Sequence, residues 1–426
     1  MVYLSEIMKA FARNIVASIL GWQVRRLQKK NDFKVIAVAG SVGKTSTKLA
    51  IANVLSAGLK TQFQNGNYND LVTVPLIFFG QTEPNIFNPF AWLKVFINNE
   101  IQLAIKYPYE VVVVEIGTDA PGMIAEFKSY LRAEIAVLSA VTPEHTEHFG
   151  SMDAVEKEEM VVSEMASLTF VNKDMCKNAP SGDNFLSYAI EADADFKLSN
   201  ITFDDSGCSF DALAAGKKIL SAKHEALSEP QLYSILAAIA VAYKLGLDGA
   251  TIEAGIAKIH PVAGRMQILA GINNSKIIDD TYNASPEAVK AALKTLYRMN
   301  APQKIAILGN MNELGEFSEA EHTEIGNRCD PAQLDLVVTI GPDANKYLAT
   351  TATKIGCRVE SFQDPFAAGE FVAKQIKPGA LILAKGSQNK VFAEETAKLL
   401  LADPNDSNKL VRQSKQWLKI KAQNFK

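Results

Sequence analysis

The sequence predicts an α/β protein made of two mostly parallel sheets in tandem. Three observations predict it. Val35 to Thr47 reads Val-Ile-Ala-Val-Ala-Gly-Ser-Val-Gly-Lys-Thr-Ser-Thr, an apolar β-favouring run that ends in a glycine turn. A helical pattern follows at Leu49, Ala50, Ala52, Val54 and Leu55, which makes a strand, a glycine loop and a helix start. Second, strand and helix patterns alternate from Lys34 to about Ala257. Third, a further alternating series runs from Lys276 to Ala384. The expected division is an N-terminal amphipathic helix over 1–32, a central phosphate-loop ATPase domain over 33–262 and a C-terminal Rossmann-like α/β domain over 263–426.

The elements follow in order. Leu4, Ile7, Met8, Phe11, Ile15, Ile19 and Leu20 form one helical stripe, with Arg13, Arg25, Arg26, Lys29 and Lys30 around and beyond it. Two readings stand for this helix: packing on the nucleotide domain, or peripheral contact with a membrane surface. Asn31-Asp32 breaks it. Val111 to Ile116 and Ile135 to Leu138 are buried-strand runs that end in Glu115-Ile-Gly117 and Ser-Ala-Val-Thr-Pro-Glu-His145. Leu168 to Asn172 is a further strand. Phe196 to Ala222 alternates weakly, as a small antiparallel excursion does, and Pro230 to Leu245 is an alanine-rich helix. Ile259 to Arg265 is a linker. The second series predicts strands at 276–278, 304–308, 336–340 and 381–384. Helices are expected over 286–297 and 319–329 and after Asp343, and the tail at Leu410 to Trp417 should return a helix to the body. This second series has no Gly-x-Gly-x-x-Gly.

Bulk numbers exclude several classes. The chain has 426 residues, 48% hydrophobic and 21% charged, the profile of a globular protein with two or three cores. A net charge of −3 argues against a nucleic-acid partner. No apolar run is long enough to span a membrane. The four cysteines, at 176, 208, 329 and 357, form no metal-binding pair. A cytoplasmic monomer acting on small molecules is expected.

The loop from Gly40 through Ser41, Val42, Gly43, Lys44, Thr45 to Ser46 has the chemistry of an anion site. Its bare N–H groups and the positive helix end attract phosphate. Lys44 can reach the β- and γ-phosphates of a nucleotide, and the Thr45 hydroxyl can ligate Mg²⁺. Position 38, where the full pattern has glycine, is Val38, so the loop is a short variant. Polar residues just past strand C-termini are where α/β sheets hold ligands, which points Glu115 and His145 at this loop.

Several motifs then fall in one order. Gly40 to Ser46 is followed by Asn67-Tyr-Asn69 with Pro75-Leu76, Glu115-Ile-Gly117 with Pro121-Gly122, and His145 with Phe149-Gly150-Ser151. Gly264-Arg265 comes next, then Asp279-Asp-Thr-Tyr-Asn-Ala-Ser-Pro286 and Leu308-Gly-Asn-Met-Asn-Glu-Leu-Gly-Glu316 with His322. Lys385-Gly-Ser387 closes the series. The series resembles the Mur ligase family, ATP-dependent amide-bond ligases of peptidoglycan precursor synthesis, over residues 34 to 400. Within the family it is most similar to the members that add D-alanyl-D-alanine to a UDP-muramoyl tripeptide.

The resemblance implies that a substrate carboxylate takes the γ-phosphate of ATP, and that an amine then displaces phosphate from the acyl carbon. It implies two Mg²⁺ ions, with Thr45 and Glu115 on one and His145 on the other. Arg265, Asp279 and Asp280 would meet ATP from across the cleft, with Asp280 accepting from ribose hydroxyls. Asn67, Asn69, Tyr282, Asn283, Glu313, Lys385 and Ser387 would lie near the substrates, and Lys385 and Ser387 near the incoming amine.

The sequence departs from the family pattern in three places. Where the family carries a carbamoylated lysine this chain has Glu159, which offers the same charge and oxygens on a shorter stem; Lys157 should lie on another helix face. The adenine-side motif reads Pro230-Gln-Leu-Tyr-Ser234, with Gln231 as a candidate base contact. No counterpart of the family's N-terminal UDP-binding domain is read before the loop, so three expectations stand: another surface holds the UDP-sugar, a partner supplies that site, or the acyl substrate is a different one, such as a lipid-linked peptide. Ligation of a different carboxylate, as in folylpolyglutamate or cyanophycin synthesis, and a nucleotide-binding switch without ligase activity are the alternatives.

Overall fold

The computed structural model describes residues 2–66, 68–118, 120–141, 149, 151–176, 178, 180, 182–204 and 206–425. Two sheets organise them. The first has nine strands: β1 (Lys34–Ala39), β2 (Thr61–Gln62), β3 (Val111–Glu115), β4 (Ala133–Leu138), β5 (Ala166–Asn172), β6 (Phe185–Ala189), β7 (Phe196–Asp204), β8 (Gly207–Ala214) and β9 (Lys217–His224). Their order is β2-β3-β1-β4-β5-β6-β7-β8-β9. Pairing is parallel as far as β7, and β7, β8 and β9 are antiparallel. The antiparallel excursion expected from the sequence is thus a meander that extends the parallel sheet.

Among the described residues, the helices around this sheet are α1 (Val2–Lys30), α2 (Lys44–Leu55), α3 (Thr73–Phe78), α4 (Pro89–Ala104), α5 (Met123–Phe127), α6 (Met152–Met160), α7 (Glu229–Lys244) and α8 (Gly249–Ile256). Alternation along β1 divides the packing. Ile36 and Val38 join the core under α2, α7 and α8, whereas Val35, Ala37 and Ala39 join the core under α3, α5 and the end of α1. The alanine-rich stretch of α7, Ala237 to Ala242, is fully buried because small side chains let α7 lie close on α2.

The second sheet has the order β10-β11-β15-β12-β13-β14, built from β10 (Gln267–Gly271), β11 (Ser275–Asp280), β12 (Lys304–Gly309), β13 (Leu336–Ile340), β14 (Val359–Phe362) and β15 (Leu381–Lys385). Only β10 runs antiparallel. Helices α9 (Pro286–Arg298), α10 (Ser318–Arg328) and α11 (Ala349–Lys354) cover one face, and α12 (Pro365–Ala373) and α13 (Ala393–Leu399) the other. The tail differs from expectation. Residues 410–414 are not helical, Arg412 has φ 56°, and α14 (Lys415–Asn424) starts only after Ser414 caps it.

The helix α1 packs on α3 and α4 through Val16, Leu20, Val72, Leu76, Trp92 and Val95, as the first of its two readings requires. In each parallel sheet the strand ends share one edge. β1 sits between β3 and β4, so the chain crosses to opposite sides of it, and a crevice opens at its C-terminal end.

Candidate active site

Strand register assembles the first half of the site. Val38 pairs with Glu115 and Ala39 with Leu138, so the phosphate loop, Glu115 and Ser139 leave the sheet side by side. Gly40 has φ 125°, and a Cβ there would lie 2.4 Å from Ser139 Oγ; only glycine fits. Gly43 has φ 85° and opens α2. Ser139 Oγ donates to the carbonyls of Ala39 (3.0 Å) and Val42 (2.7 Å), which staples the loop to the neighbouring strand. Lys44 curls back over the loop, with Nζ 2.5 Å from Gly40 O and 3.0 Å from Ser41 O.

Thr45 Oγ1 donates to Glu115, at 3.0 Å from Oε2 and 3.2 Å from Oε1. Glu115 has a second partner that no local motif announces. Lys48, one turn along α2, is fully buried with Nζ 3.3 Å from Glu115 Oε2 and 2.6 Å from Gly66 O. Burial pushes its ammonium below its ordinary pKa against the pull of Glu115. Glu159 is also buried, and its Oε2 accepts from Gly40 N at 2.7 Å. The carboxylate therefore touches the phosphate loop itself, while Lys157 is exposed on the outer face of α6.

The second sheet supplies the opposite wall. Asp280 pairs with Lys385 and Lys385 with Leu308, so the loops after β11, β12 and β15 leave together. A cleft of about 320 Å³ joins the two sets of loops. Its walls include Lys44, Thr45, Asn69 and Glu115 on one side and Arg265, Tyr282, Asn283, Asn312, Glu313 and Ser387 on the other. The guanidinium of Arg265 lies over the Tyr282 ring, 4.1 Å from its centroid. Asn312 N donates to Ser387 Oγ at 2.9 Å, which ties the β12 and β15 loops. A smaller cavity beside the cleft has Val42, Gly43, Ser46, Gln231, Ser234, Arg265, Asp280 and Lys385 in its wall.

Several placements differ from the sequence reading. Asp279 is fully buried and does not face the cleft. Its carboxylate accepts from Gly264 N (3.0 Å) and from Thr281 Oγ1 (2.6 Å), and burial pushes its pKa up to about 6 against those bonds. It anchors the linker to β11. Lys385 is buried, and its Nζ is turned inward, 2.5 Å from Asp280 Oδ2 and 3.0 Å from Asn283 O, so the two side chains form an ion pair. Gln231 forms a capping box with Ser228 and its Oε1 accepts from Leu227 N, so it starts α7 as well as lining the small cavity. Asn67, His145 and Gly150 lie outside the described residues.

The donor set fits a hard cation at one point. Thr45 Oγ1 and the Glu115 carboxylate are adjacent oxygens at the loop, the ligand type Mg²⁺ takes together with phosphate oxygens. Among the described residues no group of three His, Cys, Asp or Glu side chains could hold a metal without such help.

Comparison with known proteins follows the division into two sheets. Residues 38–242 match the model of the Mur ligase middle domain, and residues 264–388 that of the Mur ligase glutamate ligase domain. The chain is 28% identical over 380 residues to the UDP-N-acetylmuramoyl-tripeptide–D-alanyl-D-alanine ligase of Escherichia coli strain K12, covering 85% of this chain and 75% of that one. It is 24% identical to the protein of that name from Bacillus subtilis, covering 87% and 76%. The crystal structure of MurF from Acinetobacter baumannii superposes with a TM-score of 0.73 at 22% identity, covering 91% of this chain and 80% of that one. MurF ligase from Thermotoga maritima in complex with ADP gives a TM-score of 0.72 at 23% identity, covering 90% and 83%. With two family models matched in succession across the two sheets that form the cleft, the chain belongs to the Mur ligase family.

Proposed function

We propose that the protein is an ATP-dependent, ADP-forming ligase that adds D-alanyl-D-alanine to a muramoyl tripeptide in peptidoglycan synthesis. The observation that carries the reading is the shared cleft, with a phosphate loop on one wall and Arg265, Tyr282, Asn283, Glu313 and Ser387 on the other. The names of the E. coli and B. subtilis relatives supply the substrates. The central domain is taken as 33–262 and the C-terminal domain as 263–426, with the linker held by Asp279 as the hinge.

In this reading the phosphate loop and the start of α2 bind the triphosphate of ATP through backbone N–H groups. Lys44 swings from the loop carbonyls to the β- and γ-phosphates. Thr45 and Glu115 would hold Mg²⁺, which would supply positive charge against the phosphate oxygens; a second ion would draw on His145 and Glu159. A substrate carboxylate oxygen attacks the γ-phosphorus and ADP leaves. The amine then attacks the acyl carbon, phosphate leaves and the amide remains. Arg265, stacked on Tyr282, stabilises transferring charge from across the cleft. Closure of the two walls excludes water from the acyl phosphate. The four cysteines are buried, and we take the setting to be cytoplasmic and the working form to be a monomer.

Phosphate release from ATP by the purified protein tests the function. Release should require both a muramoyl tripeptide and D-alanyl-D-alanine, and a panel of other carboxylates and amino acids should not replace them. Turnover without either substrate would favour a nucleotide switch, and turnover with a folate or another acid would move the substrate class.

Glu159 gives a second expected result. It touches Gly40 N, and it stands where the family's carbamoylated lysine would be. Glu159→Gln keeps the shape and can still accept from Gly40 N, but it removes the charge. Ligation should fall by about 10²-fold, the effect of losing one well-placed charged group. The Mg²⁺ concentration for half-maximal rate should rise as well. Unchanged turnover with an unchanged Mg²⁺ dependence would remove Glu159 from the site.

A further inference from the structure

The described residues include sixteen exposed large hydrophobic side chains, and ten of them lie on or beside α1 and α4. On α1 they are Met8, Phe11, Ile15 and Trp22, spaced as one helical row with half-buried Ile19 between. On α4 they are Phe90, Leu93, Ile97 and Ile101, another such row, with Phe87 and Ile105 at its ends. Helix α4 is thus apolar on two sides. Trp92, Val95 and Leu103 face the protein, and the second row faces outward.

The two rows adjoin. Gln23 Nε2 donates to Phe96 O, Arg26 reaches Glu100 at 2.8 Å, and Lys30 Nζ donates to Leu103 O, so the helices run side by side in one direction. Arg26 lies one turn from Trp22 and stacks on it at 4.4 Å, which puts the α1 row against the same edge of α4 that Glu100 occupies. Exposed apolar patches of this extent mark interaction surfaces.

Charge decides the partner. The chain as a whole carries −3, yet Val2–Lys30 has six cations against Glu6 alone. Lys9, Arg25, Lys29, Lys94 and Lys106 are exposed around the rows. On α4 the only acid, Glu100, is bound by Arg26. An apolar face rimmed by lysine and arginine, with a tryptophan at its border, complements an anionic lipid surface: the side chains enter the acyl boundary and the cations meet the headgroups. No helix among the described residues is long and apolar enough to cross a membrane, so the contact lies in the plane of the interface. We propose that the paired face of α1 and α4 docks this protein on the surface of an anionic lipid bilayer.

The proposal is independent of the ligase reading, since vesicle binding needs no turnover. The full chain is sedimented with vesicles of phosphatidylcholine alone and with added phosphatidylglycerol. It should be retained on the anionic vesicles, and retention should weaken with salt. Leu93→Ser with Ile97→Ser should weaken binding by about tenfold or more, since each side chain loses its apolar burial. Lys29→Glu with Lys94→Glu, placed on exposed positions that carry no packing, should weaken it by at least about fivefold per cation. Both variants should keep the wild-type rate of phosphate release. Wild-type protein that stays in the supernatant at every composition would overturn the proposal, as would variants that bind like wild type. A dimer in sedimentation equilibrium that Ile97→Glu dissociates would also overturn it, because the face would then cover a second copy.

Discussion

Replacing Glu115 by glutamine should reduce ligation by about three orders of magnitude while leaving the protein folded. Glu115 stands where three requirements meet. It ends β3 in register with Val38, it accepts from Thr45 Oγ1, and it neutralises the buried Lys48. Glutamine keeps the hydrogen bond to Thr45 but offers no charge to a cation at the phosphates, and losing one preorganised charge partner costs about 10²–10³ in rate. Loss of the proposed Mg²⁺ ligand in the same step sets the expectation at the upper end. The fold survives because Lys48 can release its proton, and burial already lowers its pKa. The reverse substitution behaves differently. Lys48→Met strands the Glu115 carboxylate, which is 1% exposed, and should cost roughly 3–5 kcal/mol of stability. Added Mg²⁺ with ADP should recover part of that loss, because the bound cation replaces the missing ammonium. Thermal melts of both variants with and without Mg·ADP, alongside phosphate release, check the set. Glu115→Gln turning over within tenfold of wild type would take Glu115 out of the reaction.

Lys48 also shows what sequence reasoning could not reach. The strand–loop–helix at 34–55 was legible because an apolar run, two glycines and a helical period are local signals. Four strands of the second sheet were legible for the same reason and lie within two residues of the expected places, whereas β10 and the short edge strand β14 were not expected. Lys48 carries no such signal: one turn after Lys44, it reads like any helix lysine. Its burial arises only when β3 pairs with β1 and brings Glu115 over α2. The inward turn of Asp279 and Lys385 was not legible for a related reason. A motif gives the order of polar residues but not which of two neighbours turns inward, and the strand pairing of β11 with β15 turns Lys385 onto Asp280. No helix was expected over 89–104, and the outward row of α4 shows only once its neighbours are known. The tail helix was expected too early, since nothing local announces that Arg412 adopts a positive φ and stops the chain from coiling there.

That arginine belongs to a buried ion cluster, and breaking it should destabilise the fold as much as stranding Glu115 does. Lys421 Nζ lies 2.8 Å from Glu394 Oε1 and 2.6 Å from Glu395 Oε1, and all three side chains are at most 3% exposed. Arg412 pairs with Glu394 at 2.7 Å, and it donates to the carbonyl oxygens of Thr281 (2.5 Å) and Tyr282 (2.9 Å). Two adjacent carboxylates on α13 are thus balanced by two cations from the tail, and the tail in turn holds the loop that carries Tyr282. Lys421→Met removes one cation and leaves a buried carboxylate under-compensated, which should cost roughly 3–5 kcal/mol. By contrast Lys294→Ala breaks a pair whose members are 66% and 35% exposed, and should cost less than about 1 kcal/mol. Trp417, whose ring packs 6.4 Å from Phe392 beside the cluster, reports the transition by fluorescence in urea. Adding Glu394→Gln to Lys421→Met should recover part of the loss, because the charge that was stranded is gone. If the double variant is no more stable than Lys421→Met alone, the penalty comes from lost packing of the lysine stem on Phe392 and not from the uncompensated carboxylate.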